Sequence, residues 1–335
     1  MNHTEKIAVL IPCYNEEATI PTVIADFKRE LPEADIYVYD NNSTDNTYDL
    51  AVAAGAIVKK EPRQGKGNVI RQMFFDIDAD YYLMVDGDDT YPAEAVHGLL
   101  EKLRSGEADM VIGDRLSNGT YFEENKRAFH DFGNNLVKNT ITRLYKTKIR
   151  DVMTGYRGFN RIFVKSFPIM SAGFQIETEL TIHALDKKFK LVELPIDYRD
   201  RPEGSESKLN TFSDGFKVIM MIIKMCKDYK PILFFNIWTV IFFLAGLFTG
   251  IPVIREFMLT SFITKVPSAI LSTGLMILAL LSLVTGMILD TVVTNAKKEY
   301  ELNLYHVYHE YHQNKKKRDD FMQSSFFFLS YHLFL

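Results

Sequence analysis

The chain has 335 residues, of which 47% are hydrophobic and 24% are charged, and its formal net charge is −4. This length allows one large domain or two small ones, and so small a net charge does not favour a surface for nucleic acid. The two cysteines, Cys13 and Cys226, are too few for a disulfide framework. The composition fits a reducing compartment, and no nucleic-acid partner is expected.

Short apolar runs rich in β-branched residues alternate with segments of helical apolar spacing from residue 7 to residue 115. Such alternation predicts βαβ units and an α/β domain with a doubly wound, mostly parallel sheet. The first apolar run is short and is followed by Asn15, Glu16 and Glu17, which argues against a secretory signal. Strands are predicted at 7–12, 36–40, 56–61, 81–86 and 109–115, and helices at 18–31, 48–56, 65–77 and 93–106.

The following segment is less regular. Residues 212–229 are amphipathic, with lysines among methionines and isoleucines, and such a helix can lie in a membrane interface. Before it, the pattern predicts a helix at 126–146, a loop and strand at 151–161, a helix entered through a loop at 173–187, and a strand at 190–202 that runs into a polar loop at 203–210.

Two long apolar stretches follow, at about residues 231–254 and 267–293. Each exceeds the roughly 20 residues that a helix needs to cross a bilayer, and their short connection predicts a hairpin. Lysines precede the first stretch and follow the second, so the positive-inside rule places both chain ends in the cytoplasm. We expect a multi-pass protein of the cell membrane. A large buried helical core is the alternative, although uncharged stretches of this length with basic flanks are uncommon in soluble folds.

These patterns divide the chain into four expected parts. The apolar end of the last part, residues 325–335, is too short to span a bilayer, and we assign it no function. The parts are an α/β domain at 1–211, an interfacial amphipathic helix at 212–230, two transmembrane helices at 231–293 and a basic cytoplasmic tail at 294–335.

Three carboxylates crowd the tip of the predicted strand 81–86, where Asp86, Asp88 and Asp89 surround Gly87. Carboxylates this close repel one another unless a cation lies among them. A hard divalent cation takes oxygen ligands and often also binds substrate phosphates. The pattern therefore suggests a Mg²⁺ or Mn²⁺ site for a nucleoside diphosphate, although taken alone it is better explained as a solvated Asp-rich turn.

Other polar groups stand where predicted strands end. Glu16 follows the first strand, Asp40 ends the second and Arg115 ends the last, so all three should lie at the carboxyl edge of one sheet, where such folds bind ligands. Lys66 lies in the helix entry GKGN, and a helix N-terminus with cations suits an anion. The chain lacks the full Walker pattern, and no Gly-x-Gly-x-x-Gly follows the first strand, which argues against a P-loop enzyme and a dinucleotide dehydrogenase.

A set of short segments, in this order and spacing, resembles the GT-A glycosyltransferases of family 2. The later segments narrow the resemblance to the polyprenyl-phosphate glycosyltransferases, which include dolichyl-phosphate mannose synthase and the GtrB-type enzymes. The resemblance covers roughly residues 6–230, and the double C-terminal span matches the GtrB-type branch. The segments are PCYNEE (12–17), DNNSTD (40–45), GKGN (65–68), DGDD (86–89), IGDR (112–115), KRAFHDFGNN (126–135), DVMTGYRGF (151–159), GFQIETEL (173–180) and RPEGSESKL (201–209).

The resemblance implies an inverting transfer of a hexose from a nucleotide-sugar to a polyprenyl phosphate such as undecaprenyl phosphate. Its implied partners are the nucleotide-sugar donor, the polyprenyl phosphate acceptor and the lipid bilayer, with the catalytic domain in the cytoplasm. Self-association is suggested by related enzymes. Its N-terminal motifs favour UDP-glucose or UDP-N-acetylglucosamine as the donor, and GDP-mannose is the alternative.

The same resemblance assigns roles to individual residues. Asp86 and Asp88 would bind Mg²⁺ or Mn²⁺ that bridges the diphosphate, and Asp89 would orient the sugar. Thr90 stands where dolichol-type relatives carry a glutamine, which questions a third metal ligand from that position. The implied catalytic residues are Asp86, Asp88, Asp89 and Arg115; those of the nucleotide-sugar site are Pro12, Tyr14, Glu16, Asp40, Lys66 and Asp86; and those of the acceptor phosphate are Arg115, Arg127, Arg201 and Lys208.

The chemistry of a lipid phosphate agrees with these residue types. A lipid monophosphate is anionic at neutral pH and needs no side chain to remove a proton. It needs cations that hold it beside the donor's diphosphate. His130 and His183 are therefore expected to be packing or surface residues. Glu177 and Glu179 could act as a base only for a hydroxyl acceptor, and structural or sugar-binding roles are preferred.

Two rival functions differ in their sequence requirements. A processive polysaccharide synthase of the same superfamily would carry a Gln-x-x-Arg-Trp motif. The single tryptophan of this chain, Trp238, lies inside the first apolar stretch, so that motif is absent. A non-enzymatic scaffold that recruits partners through its hairpin is the second rival, and it would tolerate the loss of Asp88.

Overall fold

The computed structural model of the chain contains one seven-stranded sheet. The structure describes residues 5–117, 128–173, 175–199, 220 and 223–332, with the backbone alone for 128–135 and 314–332. The strands are β1 (Ile7–Cys13), β2 (Asp35–Asp40), β3 (Ile57–Lys60), β4 (Tyr81–Met84), β5 (Met110–Asp114), β6 (Arg157–Asn160) and β7 (Leu191–Pro195).

The strand order is β3-β2-β1-β4-β6-β5-β7. Every neighbouring pair is parallel except the two pairs that include β6, which runs antiparallel to β4 and β5. The predicted mostly parallel, doubly wound sheet is confirmed. Arg157, the first residue of β6, pairs with both Met84 and Ile112. The antiparallel direction therefore brings the segment before β6 to the edge where β4 and β5 end.

Helices cover both faces of the sheet. Side chains alternate across β1, so that Val9 and Ile11 belong to one buried cluster and Ala8 and Leu10 to the other. Burial on both faces explains why the strand reads as a continuous apolar run. The helices of this unit include α1 (Ile20–Glu30), α2 (Thr47–Ala53), α3 (Lys66–Asp76), α4 (Val96–Arg104), α5 (Ala128–Tyr145), α6 (Arg161–Ser166) and α7 (Ile176–Asp186).

Two local details differ from the sequence prediction. The strand predicted at 81–86 ends at Met84, so Asp86 belongs to the following turn. Helix α6 was not predicted; it begins directly after β6, where Asn160 accepts a hydrogen bond from Phe163 N at 2.9 Å. Such an N-cap satisfies a helix donor that would otherwise lack a partner.

The contacts divide the chain into two compact units, Met1–Gly215 with Asn303–Leu335, and Phe216–Leu302. The second unit contains α8 (Pro231–Thr260) and the first part of α9 (Val266–His332). Both helices are long and apolar enough to cross a membrane, and within Pro231–Thr260 and Val266–Gln313 most side chains are exposed. Within this unit they form the predicted hairpin, in which Ser272 Oγ donates to the Gly246 carbonyl at 2.9 Å. Small residues of this kind let apolar helices approach closely.

Helix α9 continues through most of the range that was expected to be a tail, 294–335. In the first unit, Tyr311 Oη of this helix donates to Asp80 Oδ1 at 3.4 Å, before the start of β4. The amphipathic helix expected at 212–229 lies mainly outside the described residues. The part that the structure describes includes 223–229, and these residues are helical. The division into four parts stays a prediction.

Candidate functional site

The adjoining ends of β1 and β2 carry the residues predicted to line a nucleoside pocket. Cys13 and Asp40 are partners in the parallel register, so the loops after these strands start side by side. They are joined by a hydrogen bond of 2.8 Å from Glu16 N to Thr47 Oγ1. Asp40 is buried and accepts a bond from Ser43 N at 3.3 Å. Pro12, Tyr14, Glu16 and Asp40 therefore lie at the ends of two paired strands.

Asn41 connects this edge to the loop before α3. Its buried carboxamide donates to the carbonyls of Glu61 at 2.9 Å and Arg63 at 2.8 Å. Its Oδ1 accepts from Gly65 N at 2.6 Å. A single side chain thus satisfies three backbone groups and holds the GKGN segment beside the end of β2.

The two glycines of GKGN allow another backbone segment to pass close by. A Cβ atom at Gly65 would overlap the Ala172 carbonyl oxygen, and one at Gly67 would overlap the Ser171 carbonyl oxygen. Gly65 also has a φ of +124°, which disfavours any other residue. Asn68 N donates to the Ala172 carbonyl at 3.3 Å, so the start of α3 packs against the backbone at Ala172.

Lys66, between these glycines, bridges two carboxylates. Its Nζ lies 2.5 Å from Asp86 Oδ1 and 2.5 Å from Glu177 Oε1. The side chains of Lys66 and Glu177 are only 9% and 5% exposed. Burial lowers the pKa of the Lys66 ammonium, but the charges of Asp86 and Glu177 outweigh this effect and raise that pKa above its usual value. Lys66 is therefore a buried cation beside the tip of β4.

The turn after β4 holds its carboxylates in defined positions. Thr19 Oγ1 donates to the Gly87 carbonyl at 2.6 Å, which fixes the turn against the start of α1. Asp88 is buried and accepts a bond from Thr90 Oγ1 at 2.7 Å, so Thr90 orients this carboxylate. Asp89 has a φ of +57°, uncommon outside glycine, and burial, followed by the charge of Asp26, raises its pKa.

Gly155 and Tyr91 join Asp86 to Arg115. A Cβ atom at Gly155 would overlap the Asp86 carboxylate, so the backbone before β6 lies directly against it. Gly155 N donates to Tyr91 Oη at 3.0 Å, and Arg115 Nη1 donates to the same oxygen at 3.4 Å. Arg115 Nε also donates to the fully buried Asp151 at 2.8 Å. The acidic turn and the arginine after β5 are thus neighbours.

Arg157 holds the 151–155 segment through hydrogen bonds to its backbone. This fully buried side chain donates from Nε to the Thr154 carbonyl at 3.0 Å and from Nη2 to the Val152 carbonyl at 2.6 Å. Its Nη1 donates to Thr181 Oγ1 on α7 at 2.9 Å. Burial lowers the pKa of Arg157 to about 10. The segment that carries Asp151 and Gly155 is therefore held by a buried cation.

Comparison with known proteins identifies the family. The sequence model of glycosyl transferase family 2 matches residues 8–167. The glycosyltransferase AglJ of Haloferax volcanii is 34% identical over 236 residues, which cover 69% of this chain and 76% of AglJ. This chain belongs to glycosyl transferase family 2. Protein RfbJ of Shigella flexneri is 56% identical to this glycosyltransferase over 119 residues, 36% of this chain and 92% of RfbJ. The dolichyl-phosphate hexose transferase of Haloferax volcanii is 29% identical over 226 residues, 68% of this chain and 96% of that protein.

A solved structure confirms the fold of the glycosyltransferase. Glucosyl-3-phosphoglycerate synthase from Mycobacterium tuberculosis, solved with uridine diphosphate, superposes with a TM-score of 0.54 at 21% identity. The match covers 66% of this chain and 80% of that structure. At this identity the likeness concerns the fold alone, and the predicted GT-A class is confirmed.

The residues at the tip of β4 fit a hard divalent cation. Asp86 and Asp88 offer carboxylate oxygens, and the position beside Asp86 already stabilises the positive charge of Lys66. Within the described part of the chain, no group of three or more His, Cys, Asp and Glu side chains gathers as an all-protein metal cage would require. A Mg²⁺-type site needs only one or two carboxylates when substrate phosphates complete it. Asp86 and Asp88 therefore remain the predicted ligands of this glycosyltransferase.

The structure gathers most of the predicted site at one sheet edge. Three residues predicted to bind the acceptor phosphate, Arg127, Arg201 and Lys208, lie outside the described residues, and their roles stay predictions. The remaining predicted residues lie at or shortly after strand ends or at the entry to α3, and they are Pro12, Tyr14, Glu16, Asp40, Lys66, Asp86, Asp88, Asp89 and Arg115.

Several contributors to this site were missed or only partly recognised from the sequence. Asn41 and Asp151 lie inside the segments that carry the family resemblance, and this position was the sequence signal that could have pointed to them. Glu177 was weighed only as a base or a structural residue, and it pairs with Lys66. Glu179, for which a structural or a sugar-binding role was preferred, makes structural contacts, because it accepts hydrogen bonds from Met170 N and Ser171 N at 3.0 and 2.8 Å.

Proposed function

We propose that this glycosyltransferase moves a hexose from a nucleotide-sugar to a polyprenyl phosphate at the cytoplasmic face of a membrane. The observation that carries the proposal is the connection from Asp86 to Arg115, which runs through Gly155 and the Tyr91 hydroxyl. Asp86, whose carboxylate suits a cation bound to a diphosphate, and Arg115, whose guanidinium suits a second phosphate, are then neighbours. The similarity to a dolichyl-phosphate hexose transferase supports a lipid phosphate as the acceptor.

The acceptor chemistry requires cations more than a base. A lipid monophosphate is anionic at neutral pH and can attack the anomeric carbon without losing a proton. Arg115 would bind this phosphate, because its guanidinium is held at the sheet edge by Asp151. The other proposed contacts are Arg127, Arg201 and Lys208. Electrostatic stabilisation of this kind lowers the barrier between two anionic reactants.

The donor would bind at the ends of β1, β2 and β4. Asp40 and Glu16 would hold the nucleoside, and Asp89 would orient the sugar. A divalent cation bound by Asp86 and Asp88 would offset the charge of the departing diphosphate. One-step displacement inverts the anomeric centre, so an α-linked donor gives a β-linked product. We propose UDP-glucose or UDP-N-acetylglucosamine as the donor, with GDP-mannose as the alternative.

The apolar helices suit a substrate that stays in the bilayer. A polyprenyl chain does not leave the membrane, so the enzyme must act at its surface. Helix α8 and the apolar part of α9 would form the anchor. Lys230 precedes α8, and Lys297 and Lys298 follow the apolar part of α9; by the positive-inside rule these basic flanks support a cytoplasmic catalytic unit.

The decisive experiment is a transfer assay with purified protein, a polyprenyl phosphate and a panel of labelled nucleotide-sugars. We expect a lipid-linked sugar and an equal release of nucleoside diphosphate with one donor. Asp88→Asn should reduce this transfer by at least about 100-fold, because it weakens a predicted cation ligand. Asp78→Asn is the matched control, since Asp78 is an exposed carboxylate before the amino end of β4 that pairs with Arg161.

The same assay separates the rival functions. Transfer with GDP-mannose alone would replace the UDP-sugar proposal and keep the acceptor. A membrane scaffold would release no nucleoside diphosphate with any donor. Undiminished lipid product from Asp88→Asn would contradict the catalytic role of this turn.

A further inference from the structure

Lys66 lies against Asp86, a predicted ligand of the divalent cation. The ammonium lies 2.5 Å from Asp86 Oδ1 and from Glu177 Oε1, so one buried cation serves two carboxylates. The three charges sum to −1. Because the side chains of Lys66 and Glu177 are only 9% and 5% exposed, water screens their charges little, and these charges act strongly on an ion at Asp86.

The position of Lys66 is set by the backbone on both sides of it. Gly65 and Gly67 pack against the carbonyls of Ala172 and Ser171, as described above. Glu179, two residues after Glu177 in α7, holds that same segment through Ser171 N. Lys66 is therefore directed to Asp86 and Glu177 by close packing, in contrast to an exposed lysine that samples many positions.

This arrangement opposes the binding of a divalent cation by itself. A cation at Asp86 would lie close to a buried ammonium, and the two would repel each other. Loss of the Asp86 contact leaves the ammonium paired with Glu177 alone, so its release from Asp86 is favoured when another anion takes the place of that carboxylate. A nucleoside diphosphate supplies that anion and also supplies oxygen ligands for the cation.

We propose that Lys66 is a positioning residue that holds Asp86 while the donor is absent and makes divalent-cation binding depend on the nucleoside diphosphate. On donor binding the ammonium passes from Asp86 to the diphosphate, and Asp86 becomes available to the cation. The inference rests on the proposed function, because it assumes a nucleotide-sugar donor and a cation at Asp86. The dependence must be reciprocal, so the cation strengthens nucleotide binding by the same factor.

The test measures Mn²⁺ binding to the full-length protein in detergent, from the electron paramagnetic resonance signal of free Mn²⁺. Titrations are made without nucleotide, with UDP and with GDP. For the unsubstituted protein we expect one nucleotide to tighten Mn²⁺ binding by about tenfold or more. Lys66→Met should bind Mn²⁺ alone about tenfold more tightly and lose most of the nucleotide effect. Glu177→Gln should bind Mn²⁺ alone more weakly, because the ammonium then pairs with Asp86 only.

Two controls separate this role from general effects of charge and folding. Arg63→Met removes one positive charge from an exposed side chain in the neighbouring loop, and Mn²⁺ affinity should change less than about twofold. The double variant Lys66→Met/Glu177→Gln keeps the site's charge at −1 and leaves no unpaired Glu177. It should still bind Mn²⁺ alone more tightly than the unsubstituted protein, and it provides the measurement if Lys66→Met does not fold.

The proposal is overturned if neither variant without Lys66 binds Mn²⁺ more tightly in the absence of nucleotide. A lysine with a purely structural role would give that result. The lipid-transfer assay reports separately on the proposed function. If the protein transfers sugar to lipid phosphate but the Mn²⁺ titrations do not give the expected result, only the role of Lys66 is refuted. If the Mn²⁺ titrations give the expected result but no sugar is transferred, only the proposed acceptor is refuted.

Discussion

Gly155 packs against Asp86 so closely that a Cβ atom at position 155 would overlap its carboxylate. The backbone of Gly155 is also held by its hydrogen bond to Tyr91 Oη. Gly155→Ala should therefore move the Asp86 side chain and not the loop. Because small displacements at a reacting centre are costly, we expect the transfer rate to fall about 10- to 100-fold. Steady-state transfer at saturating substrates measures the effect.

A matched glycine provides the control for this substitution. A Cβ atom at Gly274 would meet open space, so Gly274→Ala should leave transfer unchanged. Gly155→Ala should also unfold at nearly the same temperature as the unsubstituted protein. Normal transfer by Gly155→Ala would contradict the position of Asp86 at the reacting centre.

The buried pair of Arg115 and Asp151 should contribute strongly to stability. Asp151 is fully buried and the Arg115 side chain is 13% exposed. Asp151→Asn leaves a nearly buried guanidinium without its carboxylate, so the free energy of unfolding should fall by about 3–5 kcal/mol. Thermal unfolding of the detergent-solubilised protein measures the loss. The exposed pair of Asp26 and Arg29 is the control, and Asp26→Asn should have little effect. Equal losses in the two variants would contradict the prediction.

Arg157 should be required for the shape of the segment before β6. Arg157→Met removes the donors of two carbonyls and one hydroxyl that are buried with it. An unsatisfied buried acceptor costs about 1–3 kcal/mol, so we expect a loss of at least about 2 kcal/mol together with lower transfer activity. Thr181→Val removes only the partner hydroxyl and should cost about 1 kcal/mol. Chemical denaturation measures both, and an unchanged unfolding midpoint for Arg157→Met would refute the role.

His183 should make the fold sensitive to acid. It packs among Phe163, Phe167 and Phe189, and burial lowers its pKa to about 3. In the unfolded chain its pKa is about 6.5, so between these values only the unfolded state binds the proton. Stability should therefore fall as the pH is lowered, by about 2–3 kcal/mol from this group between pH 7 and pH 4.5.

His183→Leu isolates this contribution. The variant should lose less stability than the unsubstituted protein between pH 7 and pH 4.5, as measured by unfolding at each pH. His97, with a side chain 58% exposed, is the control, and His97→Gln should keep the original pH dependence. Parallel curves for His183→Leu and the unsubstituted protein would show that His183 is not held neutral.

Removal of divalent cations should stop transfer without unfolding the protein. The predicted ligands Asp86 and Asp88 lie in a turn that protein contacts already hold, through Thr19 and Thr90. We expect a chelator to abolish transfer, Mg²⁺ or Mn²⁺ to restore it, and the unfolding temperature in the absence of donor to stay constant. Full activity after chelation would contradict a metal-dependent site.

Much of the site could be predicted because parallel strands end at a common edge. Asp40, Asp86 and Arg115 were expected together on that ground, and the structure brings them to one edge. The pairing of Lys66 with Glu177 could not be predicted in this way. It depends on the packing of two glycines against a distant backbone segment, and no local pattern encodes that contact.

The alternation of apolar strands and helices was enough to predict the α/β fold and the sheet edge that carries the candidate site, and the two long apolar stretches were enough to predict the hairpin. These features arise from local periodicity and from burial, which short segments of sequence record directly. The insertion of antiparallel β6 between β4 and β5, and with it the placing of Gly155 on Asp86 and of Asp151 on Arg115, was decided by the tertiary structure alone. Strand pairing between distant segments depends on how the whole sheet packs, and a strand's own residues do not specify its neighbour or its direction.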